Sequence, residues 1–174
     1  MDFAVVPTVT FRVLFVFVVI SLERRRLLHL HATASPTAQW TAQQMVEAFP
    51  WETTARYLIR DRDRIYGKDF HRRVATLGLH EVPTASRSPW ENPYAERFIG
   101  SLRRECLDHV IVLNERHLHR ILVSYSRYYN QSRTHLALAK DAPDPRKVHE
   151  RGLGEVLTFP EVGGLHHRYI RLAA

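Results

Sequence analysis

Three acids stand where their carboxylates can converge: Asp2 at the start of an apolar segment, Asp61 at the end of Arg56-Tyr-Leu-Ile-Arg-Asp61, and Glu96 one turn into a segment that opens Asn92-Pro93. Carboxylates gathered from strand ends and one helix are the donor set for two divalent ions a few ångströms apart. One ion activates an attacking oxygen and the other steadies a leaving oxygen in phosphoryl transfer. Any one of these acids alone is ordinarily a solvated charge, and Glu96 near a helix N-terminus is also a good partner for the helix dipole. The triple is harder to explain that way.

The surroundings are cationic. Arg97, Arg103 and Arg104 follow Glu96, and Arg103, two helical turns on, projects from nearly the same face as the acid. A guanidinium there is suited to a forked phosphate contact. Gly100 lies between, where a missing side chain either admits a DNA backbone or permits close helix packing. Lys+Arg of 25 against Asp+Glu of 18 gives a formal charge of +7, which favours a polyanionic partner over an acidic one. DNA is the expected substrate.

The elements that must hold these residues can be read from pattern. At 174 residues with 45% hydrophobic content, the chain is long enough to bury one core. Asp2 to Val6, Phe11 to Leu22 and Arg25 to Thr33 read as three strands, the second apolar on both faces and so central. Ser35-Pro36-Thr37 opens a helix running to about Phe49 with Pro36 in its first turn, Arg56 to Arg60 reads as a fourth strand, and Gly67 to Leu77 as a short helix. Leu79 to Pro83 reads as a fifth strand, followed by a loop from Thr84 to Glu91. Asn92 is a good N-cap for a helix reaching about His109, with Tyr94, Ala95, Phe98, Ile99, Leu102 and Cys106 on its buried side. Asn114 caps another helix to about Tyr129. The expected fold is α/β, a ribonuclease H-like mixed five-stranded sheet flanked by helices. Residues 1–145 form the catalytic core, and residues 146–174 a carboxy-terminal extension with a β-hairpin around Gly163-Gly164.

Other readings of the chain are weaker. Phe3 to Ile20 is apolar enough to raise a membrane anchor, but Pro7 splits it, Phe11 to Ile20 is too short to span, and the positive charges follow it. The single Cys106 leaves neither a disulfide nor a cysteine cluster for zinc, and a reducing compartment fits. His29 with His31, His117 with His119, and His166-His167 lack nearby acids or cysteines, so zinc is not expected. Trp90 and Tyr94 are suited either to stacking on a flipped base or, more ordinarily, to core packing.

The acids and their flanking residues together resemble the integrase core of DDE transposases, the bacterial insertion-sequence relatives of retroviral integrases. The resemblance rests on Asp2, on Tyr57-Leu-Ile-Arg-Asp61 and on Ser88-Pro-Trp-Glu-Asn-Pro-Tyr-Ala-Glu96-Arg-Phe. It continues through Leu102-Arg-Arg-Glu105 and Tyr128-Tyr-Asn-Gln-Ser-Arg-Thr-His135 and covers roughly Asp2 to Pro145. Thirty-four residues separate Asp61 from Glu96, close to the spacing usual in such cores. The resemblance implies DNA strand cleavage and strand transfer by Asp2, Asp61 and Glu96 as catalytic and metal-binding residues, with two Mg2+ or Mn2+ ions and no small-molecule cofactor. It also implies a homo-oligomer on DNA, a bacterial, cytoplasmic, nucleoid-associated protein without membrane attachment, and a Tyr128–His135 segment packed near the active site, with His135 orienting a group there.

The pattern is departed from in three places. Arg62-Asp63-Arg64 follows Asp61 where a small or glycine-containing turn is usual, which makes Asp63 a competing ligand; Asp61, directly ending the apolar strand, is preferred. Asp2 stands so early that it is expected to fray. No helix-turn-helix precedes it, so a truncated product or a separately encoded catalytic portion is expected. The rival from another class is an inactive remnant that binds DNA or pairs with a full-length transposase.

Overall fold

The computed structural model describes residues 1–50, 55–86, 88–148, 152 and 154–171. The apolar run beginning at Phe3 divides at a turn into β1 (Asp2–Pro7) and β2 (Val13–Ile20), and β3 (Leu27–Thr33) follows. β2 lies in the middle, antiparallel to both neighbours. Its side chains serve two cores in alternation: Val16 and Val18 belong to one apolar cluster, Phe17 and Val19 to the other. Burial on both faces is why Val-Leu-Phe-Val-Phe-Val-Val-Ile carries no polar residue. Among the described residues no helix is long and apolar enough to cross a membrane.

Helices cover both faces. On one side α1 (Ala38–Ala48) and α2 (Lys68–Thr76) supply Met45, Phe70 and Val74. On the other, α3 (Pro93–Glu105) and α4 (Glu115–Gln131) supply Phe98, Leu102, Leu118, Leu122 and Tyr125. The result is a mixed α/β arrangement of helix, sheet and helix. Thr37 is the residue of Ser35-Pro36-Thr37 that caps α1, its hydroxyl accepting the Trp40 N–H at 3.1 Å, and Pro36 lies before the helix. α3 ends at Glu105, short of His109, where buried Cys106 leaves helical geometry and Leu107–His109 continue as a 3-10 turn.

β4 (Tyr57–Arg60) and β5 (His80–Pro83) pair in parallel across α2. The expected single five-stranded sheet is therefore replaced by a three-stranded sheet and a separate parallel pair. The Met1 amino group joins the two, donating to the Ile59 carbonyl at 2.8 Å. In a continuing parallel ladder the Met1 carbonyl would next accept a β4-side N–H; here it accepts the Asn92 side-chain amide at 2.9 Å.

β6 (Val156–Glu161) and β7 (His166–Arg171) form the expected antiparallel hairpin. Its reversal takes φ values of 66° at Gly163 and 91° at Gly164, which a residue without Cβ adopts freely. The hairpin packs on α4: Val162 joins the α3–α4 cluster and the His166 ring stacks on Tyr128 at 4.2 Å. Of the extension expected over 146–174, residues 149–151, 153 and 172–174 lie outside the described residues, as does Arg87 of the expected loop 84–91.

Candidate active site

β1, β4 and α3 carry their acids toward one place. Asp2 opens β1 beside the Met1–Ile59 contact, Asp61 follows the last residue of β4, and Glu96 sits in the first turn of α3. Asn92 fixes the third element to the first, because its buried amide donates to the carbonyl of Met1, the residue before Asp2. The side-chain cap expected of Asn92 is not made. The side chain is instead turned to this long-range contact, its NH2 donating to Met1.

The convergence is visible in the ionisation of Asp2. Burial pushes its carboxyl up, and the negative charges of Asp61 and Glu96 push it further. The Phe3 N–H, donating to Oδ1 at 2.8 Å, opposes them, and the outcome is a pKa of about 6. Beside it, burial lowers the Met1 amino group to about 6 against the pull of Asp2 and Asp61. Asp2 does not fray: it pairs with Val18 in the β1–β2 ladder. Asp63 is exposed, and its Oδ1 accepts the Ile65 N–H at 3.0 Å in a local turn.

As it stands the set is open. Among the described residues no three of His, Cys, Asp and Glu lie close enough together to hold a metal ion, and the Glu96 side chain is exposed. The chemistry of the donors fits a hard divalent cation all the same. Three carboxylates that repel one another, one of them protonated more readily than an ordinary aspartate, gain from a shared positive charge.

Behind Asp61 stand residues the sequence did not single out. Arg60 donates from Nε to Glu81 Oε2 at 2.6 Å and from Nη1 to the Asp61 backbone carbonyl at 2.7 Å, while His71 Nδ1 meets Glu81 Oε1 at 2.8 Å. The Arg60 guanidinium also lies 5.2 Å from the centroid of the Tyr66 ring, which packs between Phe3 and Phe70. Tyr66 is 5% exposed, and its buried hydroxyl has no hydrogen-bond partner. Burial, then the charges of Asp61, Asp2 and Asp63, hold its proton well above the ordinary tyrosine range. The sequence signal for Tyr66 was slight, an aromatic five residues beyond the acid.

Residues 77–143 match the family described as integrase core domain, a stretch that contains Glu96 but neither Asp2 nor Asp61. No curated protein matches the chain in sequence. Among solved structures, a chain of the simian T-cell lymphotropic virus intasome in complex with PP2A regulatory subunit B56 gamma is similar at a TM-score of 0.64 and 11% identity, over 97% of this chain and 64% of that one. The catalytic core domain of BIV integrase is similar at a TM-score of 0.56 and 11% identity, over 82% of this chain and 88% of that one. The fold is that of an integrase catalytic core. The chain spans about two thirds (64%) of the length of the intasome chain it matches.

Within this integrase-like core the three arginines are placed differently from one another. Arg97 is exposed beside Glu96. Arg103 Nη2 donates to the Val5 carbonyl at 3.1 Å, bracing α3 against β1. Arg104 folds back over Gly100, where a Cβ would meet its Nη1 at 3.1 Å. The space above Gly100 is thus filled by a guanidinium from the same helix. Trp90 is 71% exposed, contrary to the core packing expected of it, and Tyr94 lies at the surface with the Arg25 guanidinium 5.4 Å from its ring centroid.

The Tyr128–His135 segment, which the resemblance sets near the active site, runs along α3: Tyr129 packs on Phe98 at 4.9 Å, two residues from Glu96, and Arg133 reaches the last residue of the helix. Arg133 forks onto Glu105 at 2.7 and 2.6 Å, and Tyr125 donates its hydroxyl to the same carboxylate at 3.0 Å. Asn130 clamps both backbone groups of Leu27, at 2.9 and 2.8 Å. His135 is buried beside Arg133, and burial with that charge lowers its pKa to about 4. Glu105 lies nine residues beyond Glu96, about 13 Å along the helix.

Proposed function

We propose that this chain is the catalytic core of a DDE transposase, carrying out divalent-metal-dependent DNA strand cleavage and strand transfer. The observation that carries the reading is that Met1, beside Asp2, bonds both to Ile59 near the Asp61 end of β4 and to Asn92 at the head of the Glu96 helix, in an integrase-like fold. Asp2, Asp61 and Glu96 would hold Mg2+ or Mn2+. When bound, such ions activate the attacking oxygen, first of water and then of a 3′ hydroxyl, and stabilise the leaving oxygen. Asn92 keeps Glu96 in register with Asp2, Arg60 holds the backbone of Asp61, and Arg97 offers an exposed charge to a neighbouring phosphate. Association of copies on DNA and location with the bacterial nucleoid belong to the same proposal, as does a core over residues 1–145 with residues 146–174 as its extension.

The test is nicking of a supercoiled duplex with Mn2+ present. Asp61→Asn and Glu96→Gln are each expected to slow it at least about a hundredfold, or ~2.7 kcal/mol of barrier, with Asp63→Asn milder. Parental rates in both would refute the assignment. The open spacing of the acids favours a second reading, a chain that binds DNA or a full-length transposase without cutting. Salt-sensitive DNA binding with no metal-dependent nicking at any Mn2+ concentration would select it.

A further inference from the structure

Tyr66 presents a hydroxyl in an unusual predicament. Its ring is well used, lying between Phe3 and Phe70 with the Arg60 guanidinium over its face. The hydroxyl is buried without a partner, although a buried phenol ordinarily finds one. A phenylalanine would keep every ring contact and leave no polar group to satisfy. The Arg60 guanidinium over its ring also holds the Asp61 carbonyl at 2.7 Å, and Phe3, 6.0 Å from the ring, directly follows Asp2, so the ring lies beside the ends of the two strands that carry these acids. Asp61 meanwhile has little else to steady its side chain: its Oδ1 is 3.5 Å from the Asp63 N–H, at the limit of a hydrogen bond.

We propose that Tyr66 is a positioning residue for the cation-bearing carboxylates, its hydroxyl donating to the Asp61 oxygen that faces away from a bound divalent ion. The inference rests on the reading of Asp61 as a metal ligand and adds a supporting hydrogen bond to it. A carboxylate with one oxygen on a cation and the other held by a hydroxyl is fixed in orientation and loses less freedom on binding. Without the ion, repulsion from Asp2 and Glu96 leaves Asp61 no reason to hold that rotamer, which accounts for the unpartnered state of the hydroxyl.

The experiment is a titration of the full chain with Mn2+, free ion being followed by electron paramagnetic resonance, for the parent, Tyr66→Phe and Asp61→Asn. Tyr66→Phe is expected to weaken Mn2+ binding about tenfold while its thermal midpoint stays level or rises, since an unsatisfied buried donor has been removed. Asp61→Asn should abolish tight binding. Parental affinity in Tyr66→Phe, with binding lost in Asp61→Asn, overturns the role of Tyr66 and leaves the metal-site reading standing. Parental affinity in Asp61→Asn overturns both. A second measurement needs no variant to fold well: in the unaltered chain carrying 13Cζ-labelled tyrosine, Mg2+ should shift the Tyr66 signal, and an unmoved signal at saturating Mg2+ overturns the proposal.

Discussion

Helix α3 carries two carboxylates in opposite situations. At its first turn Glu96 adds its charge to that of Asp61 near Asp2, whose carboxyl burial and these charges push up. At its last residue, burial pushes the Glu105 carboxyl up but the hydrogen bonds and charge of Arg133, with the Tyr125 hydroxyl, outweigh it and bring it below the ordinary range. Glu105 is satisfied and holds α4 and the hairpin to α3, His166 Nε2 meeting its backbone carbonyl at 2.8 Å. The Glu96 end brings three acids into one another's influence, and a divalent cation there would relieve their repulsion. One helix therefore joins a carboxylate whose partners hold the fold together to the one that the proposed chemistry would use.

Breaking each end should give opposite results, and the largest effect on stability is expected at Glu105. Arg133→Ala leaves a largely buried carboxylate without its forked partner. The cost should be about 2–3 kcal/mol, below that of a fully buried pair because both side chains retain about a fifth of their exposure, 21% and 24%. Asp61→Asn, which removes a repelled charge, should leave the cation-free chain at least as stable as the parent. Urea unfolding of both variants checks this. A more severe loss from Asp61→Asn than from Arg133→Ala would mean that the acid cluster is structural.

Acidity sharpens the same contrast with a smaller effect. The folded pKa of Asp2, about 6, lies above its ordinary 3.8, so its contribution to stability is complete below about pH 4 and is lost as pH rises through about 6. Glu105 has the reverse sign: its folded pKa is lowered, so its contribution is present above the ordinary 4.5 and is lost as pH falls through its folded pKa. Asp2→Asn should accordingly gain about 1 kcal/mol relative to the parent between pH 4 and pH 7, after allowance for solvent screening of a half-buried group, and Mn2+ should cancel the gain. Glu105→Gln should cost more at pH 7 than at pH 3. Parallel pH profiles for the two variants would erase the distinction between the ends.

What the sequence disclosed divides along the same helix. The apolar β2, the Pro93 start of α3 and the glycine reversal of the hairpin are local signals, each legible from a few adjacent residues. The partners of Asn92, Arg103 and Glu105 are not, because Met1, Val5 and Arg133 lie 91, 98 and 28 residues away and become neighbours only once register is set. The division of the sheet was hidden for the same reason, since pairing between β1 and β4 is a contact between segments far apart in the chain. Tyr66 gave no pattern, because an unpartnered hydroxyl is a property of packing. Trp90 misled because a large aromatic is read as core wherever it occurs, and here it lies at the surface.

The smallest expected effect tests the midpoint between the two ends. Gly100 was open to two readings, a gap for a DNA backbone or a site of close helix packing. The structure fills the gap with the Arg104 guanidinium, the far end of a flexible side chain. A methyl group there displaces that guanidinium by a few tenths of an ångström and touches no backbone, while replacing glycine inside a helix stabilises it by about 0.5–1 kcal/mol. Gly100→Ala should therefore raise the thermal midpoint by a few degrees. DNA affinity at fixed salt should stay within about twofold, because Arg104 keeps its charge and its reach. Fluorescence anisotropy with a labelled duplex measures the second quantity. A tenfold loss of affinity in a chain that has become more stable would show that a phosphate, and not Arg104, occupies the space above Gly100 in the complex, and would extend the chemical end of α3 a full turn toward Glu105.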